Sequence, residues 1–155
     1  MKINLIAMGQ RMPAWVTTGF DEYAQRLPKE FSFKLIEIPA LKRVKNCDVA
    51  QILQKEGEKM CAAIPKSSHV IALDVQGISY STLAFAKKLQ TWQLESRDLS
   101  FLIGGPEGLS TLCLARAQER WSLSPLTFPH PLVRIIVAEQ LYRAYSVIIG
   151  HPYNK

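Results

Sequence analysis

The chain has 155 residues, 48% of them hydrophobic and 21% charged, and a formal net charge of +6; this is the profile of one soluble domain over residues 1–155, large enough for a real core. The basic balance favours an anionic partner or serves solubility alone, and its one tight cluster is Lys42, Arg43 and Lys45. Cys47, Cys61 and Cys113 are widely spaced with no CxxC pair, which argues against a zinc or dithiol motif and fits a reducing cytosol.

In chain order, Lys2–Met8 reads as a short buried strand, and its brief apolar run, broken by Asn4, is too short for a signal-peptide core. Pro13 to Leu27 reads as a helix, with Trp15, Val16, Phe20, Tyr23, Ala24 and Leu27 at helical spacing. Phe33–Ile38 is a second strand, followed by a polar loop that holds the basic cluster. Asp48, with Gln51 three residues on, is a capping signature for a helix to about Ala63. Val70–Leu73 is a third strand, with Gly77 as a turn residue after it. Ser81 or Thr82 caps a helix reaching Trp92, and Leu99–Ile103 is a fourth strand. Ser110 caps a short helix through Ala117, residues near Trp121–Leu123 form a fifth strand, and Leu132–Ile149 is the last helix. Strands alternating with helices imply an α/β fold with a mostly parallel sheet flanked by helices.

The last helix carries apolar residues on most of its circumference, from Leu132 and Val133 to Ile148 and Ile149, interrupted by Arg134, Glu139 and Arg143. Three charges within that span argue against a membrane helix. Leaving about five such side chains wet would lose on the order of 10 kcal/mol, so the face away from the sheet meets either a second subunit or other helices of the same chain. Glu139 and Arg143 are spaced for an i,i+4 ion pair.

Two segments have the character of ligand loops. Leu102-Ile103-Gly104-Gly105-Pro106-Glu107-Gly108 is a buried strand running into a glycine turn, where a backbone can approach a ligand or simply turn. Ser122-Leu123-Ser124-Pro125-Leu126-Thr127-Phe128-Pro129-His130-Pro131 is a proline-stiffened loop. The turn matches neither GxGxxG nor GxxxxGK[ST], it carries no lysine, and Glu107 would repel a phosphate, so an uncharged or cationic ligand suits it better. His69, His130 and His151 share no metal-ligand spacing and no metal is expected; His69 reads as a surface loop residue, and His130, between two prolines, as a rigid side chain able to bond backbone. Cys113 reads as core.

Taken together, Leu73-Asp74-x-x-Gly77, Leu102 through Ser110, Ser122-Leu123-Ser124-x-Leu126-Thr127-x-Pro129-His130, Arg134, Glu139 through Ala144 and Gly150-x-Pro152-Tyr153 resemble the bacterial RlmH family, ribosomal RNA large-subunit methyltransferases of the SPOUT superfamily, over essentially the whole chain. The resemblance implies a C-terminal trefoil knot and a cytoplasmic homodimer. It implies S-adenosyl-L-methionine as cofactor, held by Leu73, Gly104, Leu123, Ser124, Pro125, Leu126, Thr127 and Phe128. It implies methyl transfer to N3 of a pseudouridine in 23S ribosomal RNA, within the ribosome since a chain this small has no added RNA-binding domain. Catalytic expectations fall on Arg134, as a stabiliser of charge on the base or a structural ion pair, on Tyr153, against the base or packed as a chain end, and on His151. The family tail reads Pro-Tyr-His and a basic residue, whereas Asn154 follows Tyr153 here, so the proton acceptor is left open. A tRNA-directed relative and a non-catalytic RNA- or nucleotide-binding module are the competing readings. Lys42, Arg43 and Lys45 are either phosphate contacts or a solvated loop.

Overall fold

A computed structural model describes residues 1–155. Five strands, β1 (Ile3–Met8), β2 (Lys34–Ile38), β3 (His69–Ser79), β4 (Leu99–Ile103) and β5 (Glu119–Ser122), alternate with helices α1 (Ala14–Ala24), α2 (Val49–Ala63), α3 (Thr82–Leu94), α4 (Thr111–Arg116) and α5 (His130–Ile148). All strand pairs are parallel and the order across the sheet is β2-β1-β4-β3-β5. The apolar runs of β1 and β4 are buried throughout because they lie inside a sheet covered on both faces. Alternation divides them between two cores. Leu5, Ala7, Phe101 and Ile103 point to the layer of α1, α3 and α5, while Ile6, Met8 and Leu102 point to α2 and α4, where Met60 and Cys113 meet them. Cys113 is thus core, as its sequence context implies.

The capping signals act where the sequence places them. Asp48 accepts from the Gln51 amide at 3.3 Å, Ser81 from Ala84 at 3.1 Å and Ser110 from Cys113 at 3.1 Å. Helix α5 starts two residues earlier than its apolar pattern predicts, because Pro131 fits the first turn, where its missing amide would have no partner anyway. No helix is long and apolar enough to cross a membrane.

Two expectations change. Gly77 lies within β3 instead of closing a turn after it. The ladder between β3 and β5 slips there: Trp121 stands opposite both Leu73 and Ile78, so residues 74–77 arch out of the sheet. Gly77 presses on β5, and a Cβ there would lie 2.6 Å from the Arg120 carbonyl carbon, which is why the arch needs glycine. His69 begins β3 instead of lying in a loop, and its Nε2 is 2.8 Å from Glu119 Oε1 on the neighbouring strand. The apolar girth of α5 is met in part within the chain, since α1 and α3 pack along its flanks and the sheet lies beneath it. Gly19 of α1 lets Ile135 of α5 come so close that a Cβ would sit 2.7 Å from Ile135 Cδ1.

Candidate active site

The carboxyl ends of β3, β4 and β5 converge, and the segments leaving them enclose a cavity of about 650 Å³. This is where parallel α/β sheets place ligands, because the loops there diverge from a fixed platform. One wall is the arch, with Leu73, Asp74, Val75 and Gln76. A second is the glycine turn from Ile103 to Leu109. The third is the proline loop, through Leu123, Ser124, Leu126, Thr127 and Phe128 to Pro129 and His130.

The glycine turn is fixed by its own backbone. Gly108, at φ +80°, donates its amide to the Gly105 carbonyl at 3.0 Å, and a Cβ on Gly104 would lie 2.4 Å from the Gly108 carbonyl carbon. Its tip is braced by charge. Arg43 reaches Glu107 Oε2 at 2.7 Å and holds Glu56 of α2 through two bonds, at 2.6 and 2.8 Å. Paired guanidinium keeps the Glu107 carboxyl below its usual range. Arg43 therefore braces the turn, held by two carboxylates, which is neither the phosphate contact nor the solvated loop position that the sequence offers. In the proline loop, the Ser122 hydroxyl donates to the Ser124 carbonyl at 3.0 Å, and Ser124 Oγ accepts from the Leu126 amide at 3.0 Å. These local bonds, with proline at 125 and 129, stiffen the wall before any ligand arrives.

The charged side chains on the cavity wall are Asp74 and Glu107; no lysine or arginine lines it. His130 lines it too, and burial, with the Arg134 charge second, lowers its pKa. A second cavity of about 320 Å³ shares Leu73, Trp121, Leu123 and Phe128 with the first and has Phe85 and Phe101 in its lining. Thr82 and Gln140 lie on its wall, bonded to each other at 2.9 Å.

A rigid, apolar and mildly acidic cavity over the carboxyl ends of a parallel sheet suits a small organic ligand with positive charge. The family model described as "Predicted SPOUT methyltransferase" matches residues 1–154. The chain belongs to the SPOUT methyltransferase family. Among solved structures, one described as a probable methylase family protein from Haemophilus influenzae Rd KW20 aligns with a TM-score of 0.55 at 13% identity, covering 96% of this chain and 68% of that one. That likeness concerns the fold.

Of the cofactor contacts expected in this SPOUT chain, Leu73, Gly104, Leu123, Ser124, Leu126, Thr127 and Phe128 lie together on the cavity wall, while Pro125 does not reach it. Arg134, His151 and Tyr153 are also elsewhere. Arg134 is only 1% exposed; its Nη1 donates to Glu37 Oε2 at 2.7 Å, and its Nη2 to the Gly9 and Met8 carbonyls at 2.9 and 3.2 Å. The tail folds back on α5. Tyr153 donates its hydroxyl to Glu139 Oε1 at 3.0 Å, and its ring lies 4.7 Å from that of Tyr142. Burial first, and the Glu139 carboxylate second, push the Tyr153 phenol up to about 12. The expected Glu139–Arg143 pair forms at 2.7 Å and shares this carboxylate. His151 Nδ1 accepts from the Tyr153 amide at 3.1 Å, and Asn154 donates to the His151 and Ser146 carbonyls at 2.7 and 3.3 Å. Sequence reasoning missed Asp74 and Gln76 as wall residues because Gly77 reads as an ordinary turn. It also read His130 as able to bond backbone, whereas its buried Nδ1 has no hydrogen-bond partner.

Proposed function

We propose that the chain is an S-adenosyl-L-methionine-dependent methyltransferase acting on N3 of a pseudouridine in 23S ribosomal RNA, as a cytoplasmic homodimer on assembled ribosomes. The observation that carries the cofactor is the cavity itself. It has the size of a small-molecule site, its walls are set by glycine and proline, and its only charged side chains are carboxylates. A phosphate-bearing cofactor would meet repulsion there, whereas a sulfonium and an ammonium group would meet attraction. The residues present fit the group. Leu73, Gly104 and the stretch from Leu123 to Phe128 would hold it, with Pro125 stiffening the loop from behind. The bound cofactor supplies a methyl group already activated by its sulfonium.

The ribosomal target rests on the whole-chain resemblance to the RlmH family, and the trefoil knot belongs to the same reading. The chain's own work is alignment, which for a displacement at an activated carbon supplies much of the rate. Arg134, enclosed beneath the first turn of α5, serves by fixing where that helix begins. The tail bearing His151, Tyr153 and Asn154 lies along α5 of its own chain, so in the dimer we assign Tyr153 and His151 to the partner subunit's cavity, where the target base enters. Phosphate contacts suit a separate open cleft of about 780 Å³ at the amino end of β3, lined by Lys66, Arg97 and Arg116 with no carboxylate.

The test uses purified protein, methyl-labelled cofactor and ribosomes from cells lacking this methylation, beside a sample lacking the pseudouridine. Label is expected in 23S RNA only where the pseudouridine is present. Label in tRNA instead, or cofactor binding with no transfer to any RNA, would overturn the assignment.

A further inference from the structure

His130 is the one imidazole on the cavity wall, and its placement is unusual. It is the first residue of α5, and Arg134 lies four residues on, one turn along the same helix, buried outside the cavity wall. Both lie beside Gly9, at φ +100°: a Cβ there would make ordinary contact, at 3.8 Å, with His130 Cε1 and with Arg134 Nη2. The Nδ1 edge of the ring is buried with no hydrogen-bond partner, and so is Arg134 Nε. Burial first, and the arginine charge second, lower the His130 pKa and so favour the neutral ring.

A neutral imidazole carries one N–H. On Nδ1 it would be an enclosed donor with nothing to accept it, in a ring already under the positive charge of Arg134 at the start of a helix. A lone pair on Nδ1 is favoured by that same positive charge. The hydrogen therefore belongs on Nε2.

We propose that His130 is a ligand-contacting residue whose Nε2–H donates a hydrogen bond to an anionic or carbonyl oxygen of the molecules bound in the cavity, with Arg134 setting the tautomer. The proposal deepens the methyltransferase reading and rests on it for the identity of those molecules. Two oxygens have the required chemistry: the carboxylate of the methionine portion of the cofactor, and a carbonyl of the target base that gains negative charge as its N–H is lost. Such a fixed neutral donor stabilises charge without itself exchanging a proton. Asp74 and Glu107, the carboxylates on the same wall, have the opposite role toward positive groups, and Glu37 is paired with Arg134.

The first test is the side-chain nitrogen spectrum of the wild-type protein, in which His130 is expected as the Nε2–H tautomer; an Nδ1–H signal would overturn the proposal. The second compares His130→Gln, whose amide can present a donor near the Nε2 position, with His130→Leu, which cannot. Both are screened by thermal unfolding to establish that they fold. His130→Leu is expected to lose at least tenfold, and His130→Gln to recover most of it. A loss in the dissociation constant for S-adenosyl-L-methionine assigns the donor to the cofactor carboxylate. A loss in kcat on ribosomes, with cofactor binding unchanged, assigns it to the base. Wild-type values for His130→Leu in both measurements would sink the idea while leaving methyl transfer intact. If the wild-type protein methylates no ribosomal RNA, the function fails instead, and the tautomer and cofactor affinity still decide the role of His130.

Discussion

Two residues, one on the cavity wall and one in the tail, act through space left unfilled and through a proton retained. Gly104 stands where any Cβ would overlap the Gly108 backbone, at 2.4 Å from its carbonyl carbon, and a backbone atom cannot swing away as a side chain can. Gly104→Ala is therefore expected to reshape the turn, costing about 1–3 kcal/mol in overpacking and most of the cofactor affinity; calorimetric titration against a thermal melt separates the two losses. Tyr153 supplies a pH signature. Its folded-state pKa, about 12, lies above its ordinary value of 10, so the folded chain holds this proton more tightly than the unfolded one. The stabilisation is complete below about pH 10 and is lost as pH rises toward 12. Denaturant unfolding across that window should show the wild type weakening more steeply than Tyr153→Phe, which has no proton to lose. Parallel slopes for the two proteins would mean that the tail is not held through this hydroxyl.

Among the elements, the start of α5 is the one whose position decides the site, because the proline loop ends there and His130 begins there. Arg134 fixes it by reaching through to the ends of β1 and β2, at Glu37, Met8 and Gly9. Truncating one member of a buried, bonded charge pair costs about 3–5 kcal/mol, since carbonyls and a carboxylate are left behind. Arg134→Ala is expected at the lower end of that range in urea unfolding, because Glu37 keeps some contact with solvent. Arg134→Lys should recover little, as one ammonium cannot replace a fork that serves two strands. The elements themselves were legible in the chain, since buried strands, capping serines and helical spacing are local signals, and the two ligand loops announced themselves by glycine and proline. The purpose of Arg134 was not. Its partners lie 97 and 125 positions away in the chain, and nothing in a one-dimensional pattern separates an arginine aimed at a base from one buried under a helix. The arch at Asp74–Gly77 was hidden for a related reason: a slip in strand register depends on the neighbour, β5, and a glycine in that place reads as a turn.

At the scale of the molecule, what is left over is an apolar rim. Ile78 beside the arch, Leu83 at the start of α3 and Leu126 in the proline loop are 62, 68 and 69% exposed; Leu126 lines the larger cavity, and Leu83 follows Thr82 on the wall of the smaller one. Covering each would contribute about 1.5–3 kcal/mol, which a second copy of the chain, seated over the cavity mouths, would supply. Sedimentation equilibrium is expected to give twice the 17.5 kDa of one chain, and a mass of one chain at micromolar concentration would remove the dimer from the proposed function. Ile78→Asp places a charge in the rim, on a side chain that is mostly exposed, and should weaken the dimer at least tenfold, with the helical content of each chain unchanged. The resulting monomer is the informative species. Its glycine turn and proline loop come from one chain, so cofactor binding should survive, whereas the tail with Tyr153 lies on its own α5, away from that cavity. Binding without methyl transfer in the monomer would locate the shortfall in a group that only the partner subunit brings, and full activity in the monomer would show that each chain completes its own site.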